Sequence, residues 1–253
     1  MSPSIWTRCA GRSELRPLRG RFCRVVEAQF RNSTRKLVDS DAEQEALEAL
    51  IDRAKDPVPP GFEDLHYLLY TPFRHPPLRN GSRFGTRQER GILYGARELP
   101  TALAEVAYYR LVFLEGTAAD LGDLQVDLTA FWFGISAARG VDLSAPPFGD
   151  YEARISSPSQ YGASQRLGAE MRGDGVQAAL YVSARATGRA LNLAVFDNAF
   201  QPRRPLREQM WSCTANRRGV EFRSRGLLGA AQHHAFARAQ FEVAGKLPAP
   251  ALA

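Results

Sequence analysis

Alternating apolar and polar positions predict strands at several places along the chain. Residues 20–28 alternate, and Phe22, Arg24 and Val26 would share one face of that strand. Residues 124–128 alternate in the same way, and 178–182 is a short apolar run typical of a buried strand. Further strands are predicted at residues 92–94, 191–196, 220–223 and 236–243. The chain therefore contains enough strands for a sheet.

Three segments have helical spacing. Ser40 to Glu43 is a capping-box pattern, and apolar residues then recur at positions 46, 47, 50, 51 and 54 before a group of prolines. A second helix is predicted from Pro100 to about Phe113, and a third over residues 164–172. Because helices and strands are mixed without a repeat, we expect one α+β (mixed α/β) domain.

The domain is expected to carry an N-terminal elaboration. We assign residues 1–21 to a basic arm, residues 22–246 to the main domain and residues 247–253 to a frayed tail. A helical insertion occupies about residues 29–80 of the main domain. Packing on the sheet is the simplest role for this insertion, and covering a cleft or binding a partner are alternatives.

Composition places the protein among ordinary globular chains. The 253 residues are 44% hydrophobic and 24% charged, and no apolar run approaches 18 residues. We therefore expect a cytoplasmic protein that does not enter the membrane. Its three cysteines are odd in number and form no CxxC pair, which predicts reduced thiols.

Positive charge is concentrated at the N-terminus. Residues 1–36 hold nine Arg or Lys against two acidic residues, whereas the rest of the chain is nearly balanced. A nucleic acid, an acidic protein or the phosphates of a substrate could bind there, and a solvated arm is the alternative. A basic nucleic-acid-binding module without catalysis therefore stays open as one function.

The common signatures of nucleotide-binding proteins and hydrolases are absent. There is no GxxxxGK[ST], GxGxxG, HExxH or GxSxG motif. The four histidines have no Cys or carboxylate partners at ligand spacing, so we predict no metal site.

Three polar residues, Arg83, Tyr94 and Glu105, indicate a possible functional site. Arg83 lies in the loop sequence GSRFG, Tyr94 in a strand and Glu105 in a helix, at intervals of eleven residues. Glu105 is on the apolar side of its helix, where an unpaired carboxylate would be costly. Two interpretations remain open: a buried Arg83–Glu105 ion pair with Tyr94 bonded to it, or a functional site in which Arg83 binds phosphate.

A second segment, YVSAR, places Ser183 and Arg185 at the end of a buried strand. No histidine lies where it could activate Ser183 as a nucleophile, so we expect it to orient a substrate by hydrogen bonding.

These residues together resemble the RES domain, the toxin component of RES–Xre toxin–antitoxin pairs. Arg83 in GSRFG, Glu105 in TALAEVAYYR and Ser183 in YVSAR match the residues that give the family its name. Tyr94 in GILYGA and Arg24 in FCRVVEAQF match further family positions, and GRALNLAVF resembles the segment after the serine. The resemblance runs from about residue 22 to 196, with an unusually long interval between Arg24 and Arg83.

The resemblance implies a fold like that of ADP-ribosyltransferase toxins, with NAD as substrate in a central cleft and no metal. The implied activity is cleavage of the nicotinamide–ribose bond as a glycohydrolase or phosphorylase, or else transfer of ADP-ribose to a protein. Glu105 would stabilise the developing sugar cation, Arg83 and Arg24 would bind the pyrophosphate, and Tyr94 and Ser183 would contact or position the substrate. The implied partner is an Xre-family antitoxin, through which alone the protein would associate with DNA.

Overall fold

One mixed sheet organises the computed structural model, which describes residues 3–28, 38–54, 56–75, 79–225 and 231–249. Within these ranges the strand order is β1-β2-β5-β4-β3-β6-β7-β8, and β1 also pairs with β3. The strands are β1 (Arg16–Glu27), β2 (Leu93–Ala96), β3 (Leu124–Asp142), β4 (Ala178–Val182), β5 (Leu191–Val195), β6 (Arg207–Asn216), β7 (Gly219–Arg225) and β8 (His233–Ala237).

Helices connect and cover these strands. They are α1 (Ile5–Arg8), α2 (Asp41–Ala54), α3 (Tyr67–Arg74), α4 (Leu99–Glu115), α5 (Glu152–Ile155) and α6 (Gly162–Gly173). Helix and strand occur in nearly equal amounts, about 30% and 31%. The predicted mixed α/β class and single domain are confirmed, whereas likeness to the ADP-ribosyltransferase toxin fold stays a prediction. None of the described helices is both long and apolar enough to cross a bilayer.

The long strand β3 closes part of the sheet into a ring. It pairs with β1 along much of its length and with β4 at its end, while β1 also pairs with β2, which continues to β5 and β4. One apolar cluster takes side chains from all five strands, including Phe22, Leu93, Phe133, Leu180 and Leu193, so it fills this ring.

A second cluster lies under α4. Leu103, Ala107 and Leu111 of that helix pack with residues of β1, β3, β6 and β7. This packing fixes α4 on the sheet surface and thereby positions Glu105.

The structure differs from the predicted strands in three regions. Strand β3, predicted over 124–128, extends to Asp142 because the apolar run from residue 129 onward is buried between several neighbours. Strand β6 was not predicted, although its buried Trp211, Cys213 and Ala215 alternate with the half-buried Ser212 and Thr214 as in a strand with one buried face. The predicted strand at 236–243 ends at Ala237 and is followed by a 3-10 turn.

The two chain ends are packed more than the sequence suggests. Residues 16–21 of the predicted basic arm belong to β1, and Ile5, Trp6 and Cys9 are buried. In the predicted tail, Leu247 and Ala249 pack on the cluster under α4, while residues 250–253 lie outside the described ranges. These segments therefore contribute to the domain.

The insertion contains the predicted helix α2. Ser40 Oγ accepts a hydrogen bond from the Glu43 amide at 3.2 Å, and the Glu43 carboxylate accepts one from the Asp39 amide at 2.9 Å. Helix α3, which was not predicted, adds Leu69 and Phe73 to the cluster that fills the ring. Residues 29–37, 55 and 76–78 of the insertion are outside the described ranges.

Candidate active site

Glu105 is held at one carboxylate oxygen only. The Ser183 hydroxyl and the Asn192 side-chain amide each donate a hydrogen bond to Glu105 Oε1, both at 2.7 Å. Glu105 Oε2 accepts none from the described residues, and the side chain is half-buried. The two donors therefore fix the orientation of the carboxylate and leave Oε2 without a donor from the described residues.

The register of the sheet explains why Glu105, Ser183 and Asn192 lie together. Asn192 on β5 is paired with Tyr181 on β4 and with Ala96 on β2, so the three side chains share one face of the sheet. Ser183 follows Tyr181 by two positions and continues that face. Because α4 packs against β1, β2 and β5, Glu105 is brought onto the same surface.

Ser183 is restricted to donating to Glu105. Its Oγ accepts hydrogen bonds from the backbone amides of Arg185 and Ala186, both at 3.1 Å, so its one proton is available for the carboxylate. The Arg185 guanidinium lies over the Tyr108 ring at 3.5 Å and donates to the Pro158 carbonyl at 2.8 Å. The loop after β4 is thus fixed at both its backbone and its side chains.

Arg83 is buried, at 7% exposure, in the loop before β2. Its Nη1 donates to the carbonyls of Ile155 and Ser157 at 3.1 and 3.0 Å. The guanidinium lies 4.9 Å from the Tyr161 ring centroid and 6.0 Å from that of Tyr181. No ion pair joins Arg83 to Glu105 among the described residues, so the ion-pair interpretation of this series is wrong.

Tyr94 organises the loop that carries Arg83. Its hydroxyl lies 2.8 Å from Ser82 Oγ and accepts a hydrogen bond from the Phe84 amide at 3.0 Å. Burial raises the pKa of Tyr94 to about 12, so the phenol is neutral at physiological pH. Since the residues on both sides of Arg83 are held, Tyr94 positions that arginine.

The loop that carries Arg83 packs tightly on α6. A Cβ added at Gly168 would lie 1.9 Å from the Phe84 carbonyl oxygen, and Gln165 Nε2 donates to the Ser82 carbonyl at 3.1 Å. Helix and loop can approach this closely only because residue 168 has no side chain.

We expect Gly168→Ala to lower the free energy of unfolding by about 1 to 3 kcal/mol, because the loop must move away from α6. Chemical denaturation measures this change. Gly173→Ala at the end of the same helix is the matched control, since a Cβ there meets nothing within 4 Å. Equal stability of the two variants would show that α6 and the loop can accommodate a side chain at residue 168.

Arg24 lies where β1 and β2 separate. The two strands are paired only at Cys23 and Ala96, and the Arg24 Nη1 donates to the Tyr94 carbonyl at 2.8 Å. Arg24 Nε is buried without a hydrogen-bond partner. Burial lowers the pKa of Arg24 to about 10, which still leaves it charged at neutral pH. The charged guanidinium donates to described residues from Nη1 only, which leaves Nη2 suited to an anionic ligand.

Tyrosines connect these groups into one cluster. Burial raises the pKa values of Tyr109 and Tyr181 well above the ordinary value, and the charge of Glu105 raises both further. Tyr94, Tyr109 and Tyr181 also lie close enough to Arg24 that a negative charge on any of them would favour the charged form of this arginine. The electrostatic contacts therefore bring Arg24, Arg83, Tyr94 and Glu105 into one region, with Ser183 bonded directly to Glu105.

Sequence reasoning did not identify Asn192 or Tyr161. Asn192 is only 2% exposed and lies inside the apolar strand LNLAV, where an amide needs a specific partner. That unusual residue type in a buried strand was the available signal. Tyr161 had no comparable signal, because its contact with Arg83 depends on how distant loops pack.

In the described ranges, His, Cys, Asp and Glu form no group of three or more that could hold a metal ion.

Comparison with known proteins identifies the family of this chain. No curated protein matches the chain. The family model for the RES domain matches residues 23–215, a range that contains Arg24, Arg83, Tyr94, Glu105 and Ser183. RES domains are associated with toxin–antitoxin systems and with NAD-related toxin activity. The match covers most of the chain, which therefore belongs to the RES domain family.

Proposed function

We propose that this protein consumes NAD by cleaving the bond between nicotinamide and ribose. The observation that carries the proposal is the geometry of Glu105, with Oε1 held by two donors and Oε2 free of hydrogen bonds from the described residues. Two arginines, Arg24 and Arg83, belong to the same cluster. A fixed carboxylate beside two cations suits a substrate with a sugar centre and a pyrophosphate.

Cleavage of the nicotinamide–ribose bond requires mainly a negative charge placed close to the ribose. When the ribose C1′–N bond breaks, its electron pair leaves with nicotinamide, which becomes neutral, and the sugar acquires oxocarbenium character. The Glu105 carboxylate would stabilise this positive charge, and Ser183 and Asn192 would keep it in position. The oxygen of water or phosphate then bonds to C1′ and releases a proton to solvent, giving ADP-ribose or its phosphate ester.

Unused donors support the binding of pyrophosphate. Arg24 and Arg83 each donate hydrogen bonds to described residues from Nη1 only, so Nη2 of both side chains is unused by those residues. Arginine nitrogens that remain available can form charge-assisted hydrogen bonds to phosphate oxygens. Arg83 would therefore orient the dinucleotide from a guanidinium that the protein already holds rigid.

We also propose that a cognate Xre-family antitoxin neutralises the protein by binding it and that DNA is contacted through that partner. Family membership supports this part of the proposal. Co-purification of the chain with the product of a neighbouring Xre-type gene, and loss of toxicity on co-expression, are the expected results. Full toxicity in the presence of that gene product would contradict it.

Expression from an inducible promoter tests the activity in cells. We expect total NAD to fall after induction of the natural chain and to stay unchanged with Glu105→Ala. Glu115→Ala is the matched control, because Glu115 lies on the same helix but pairs with Arg238 at the surface. Unchanged NAD with all three chains would contradict NAD depletion. ADP-ribose adducts on one protein, found by mass spectrometry without bulk NAD loss, would instead establish transfer to a protein.

A further inference from the structure

Tyr109 lies one helical turn beyond Glu105 on α4, so the two side chains share a face of the helix. The residue is 48% exposed even though its hydroxyl is directed inward, 3.5 Å from the Tyr161 hydroxyl. Burial of this hydroxyl raises its pKa well above the ordinary value. Tyr109 is thus a neutral phenol whose hydroxyl faces Tyr161, while about half of the residue is open to solvent.

The surroundings place this ring within the proposed substrate site. Tyr161, which contacts the Tyr109 hydroxyl, is buried and carries the Arg83 guanidinium over its ring at 4.9 Å. Glu105 lies close enough to influence the titration of Tyr109, and Tyr109 influences that of Arg24. Tyr109 therefore belongs to the cluster that contains Glu105 and Arg83, and its ring makes an edge contact with Tyr108 at a centroid distance of 5.0 Å.

We propose that Tyr109 is the stacking platform for the nicotinamide ring and that it selects the oxidised dinucleotide. This inference rests on the proposed function. The nicotinamide ring of NAD is a cation, and an electron-rich phenol ring attracts a planar cation placed over its face. When the C1′–N bond breaks, nicotinamide becomes neutral and this attraction is lost. The platform therefore holds the substrate more strongly than the leaving group.

The chain offers a matched control at Phe113. This side chain lies a further turn along α4 and is 55% exposed, but it has no hydrogen-bonded link to the Tyr161–Arg83 pair. Replacing either aromatic residue by leucine removes a similar exposed ring from the same helix. Only the Tyr109 variant should affect a ligand bound next to Glu105.

Equilibrium binding to the full chain tests the proposal without turnover when every variant also carries Glu105→Gln. The ligands are NAD, NADH, whose reduced ring is neutral, and ADP-ribose, which lacks the ring. We expect Tyr109→Leu to weaken NAD binding about five- to tenfold and to change NADH and ADP-ribose binding less than twofold. Tyr109→Phe should retain most of the affinity for NAD, and Phe113→Leu should change none of the three.

The outcomes separate this inference from the function on which it rests. Equal weakening of NAD and ADP-ribose by Tyr109→Leu, or no weakening of either, would overturn the stacking role while leaving NAD cleavage intact. If the chain without a change at Tyr109 binds neither NAD nor ADP-ribose, the proposed function fails and the platform fails with it.

Discussion

Glu105→Gln is expected to lower the rate of nicotinamide release from NAD about a thousandfold. Glutamine keeps the length of the side chain and can still accept the hydrogen bond from Ser183 at its carbonyl oxygen. It removes the negative charge that would stabilise the oxocarbenium-like sugar. The loss should therefore appear in the chemical step, with kcat falling more than KM rises.

Two controls separate this effect from damage to the fold. Glu115→Gln removes a carboxylate from the same helix but touches only the surface pair with Arg238, so its activity should match that of the natural chain. Thermal unfolding of Glu105→Gln should shift by only a few degrees. Activity within tenfold of the natural chain would show that Glu105 is not the charge on which cleavage depends.

Asn192→Asp is expected to have the second large effect, on the pH dependence of activity. The substitution places a carboxylate where the amide now donates to Glu105 Oε1 at 2.7 Å. Two carboxylates at this distance share a proton, because both cannot be ionised together at ordinary pH. The ionised form that stabilises the sugar cation then requires a higher pH. We expect the acidic limb of the pH–rate profile to move upward by about one pH unit or more.

Asn216→Asp provides the comparison for this substitution. Asn216 donates to the Asp123 carboxylate at 2.8 Å, so the local chemistry is the same, but the pair is exposed and screened by solvent. Its pH–rate profile should coincide with that of the natural chain. An unchanged acidic limb in Asn192→Asp, with the protein folded, would show that activity does not depend on the ionised carboxylate beside position 192.

Local signals predicted several elements well. The capping box at Ser40 and the helix-initiating Pro100 each mark a helix that the structure contains, because caps and fixed proline dihedrals act over a few residues. Strand β6 was missed although it alternates apolar and polar residues from Trp211 to Ala215 and forms a hairpin with β7. Its other neighbour, β3, is distant in sequence, and such a tertiary partner decides whether a short alternating segment becomes a strand.

For the candidate site, the sequence identified several of the residues but not the contacts between them. The eleven-residue spacing identified Arg83, Tyr94 and Glu105 as a group, but it could not show which atoms meet. The Arg83 guanidinium is held by carbonyls more than 70 residues away, and Asn192 reaches Glu105 across 87 residues. These contacts follow from strand register and loop packing, which have no local sequence signature.

Nicotinamide release from NAD by the purified full chain is the most direct test of the central claim. The reaction should be run with and without inorganic phosphate, beside the Glu105→Gln and Glu115→Gln variants. We predict release by the natural chain and by Glu115→Gln, with almost none by Glu105→Gln, and stimulation by phosphate would identify phosphate as the acceptor. Absence of release from a folded chain that binds NAD, or equal release by all three chains, would contradict cleavage directed by Glu105.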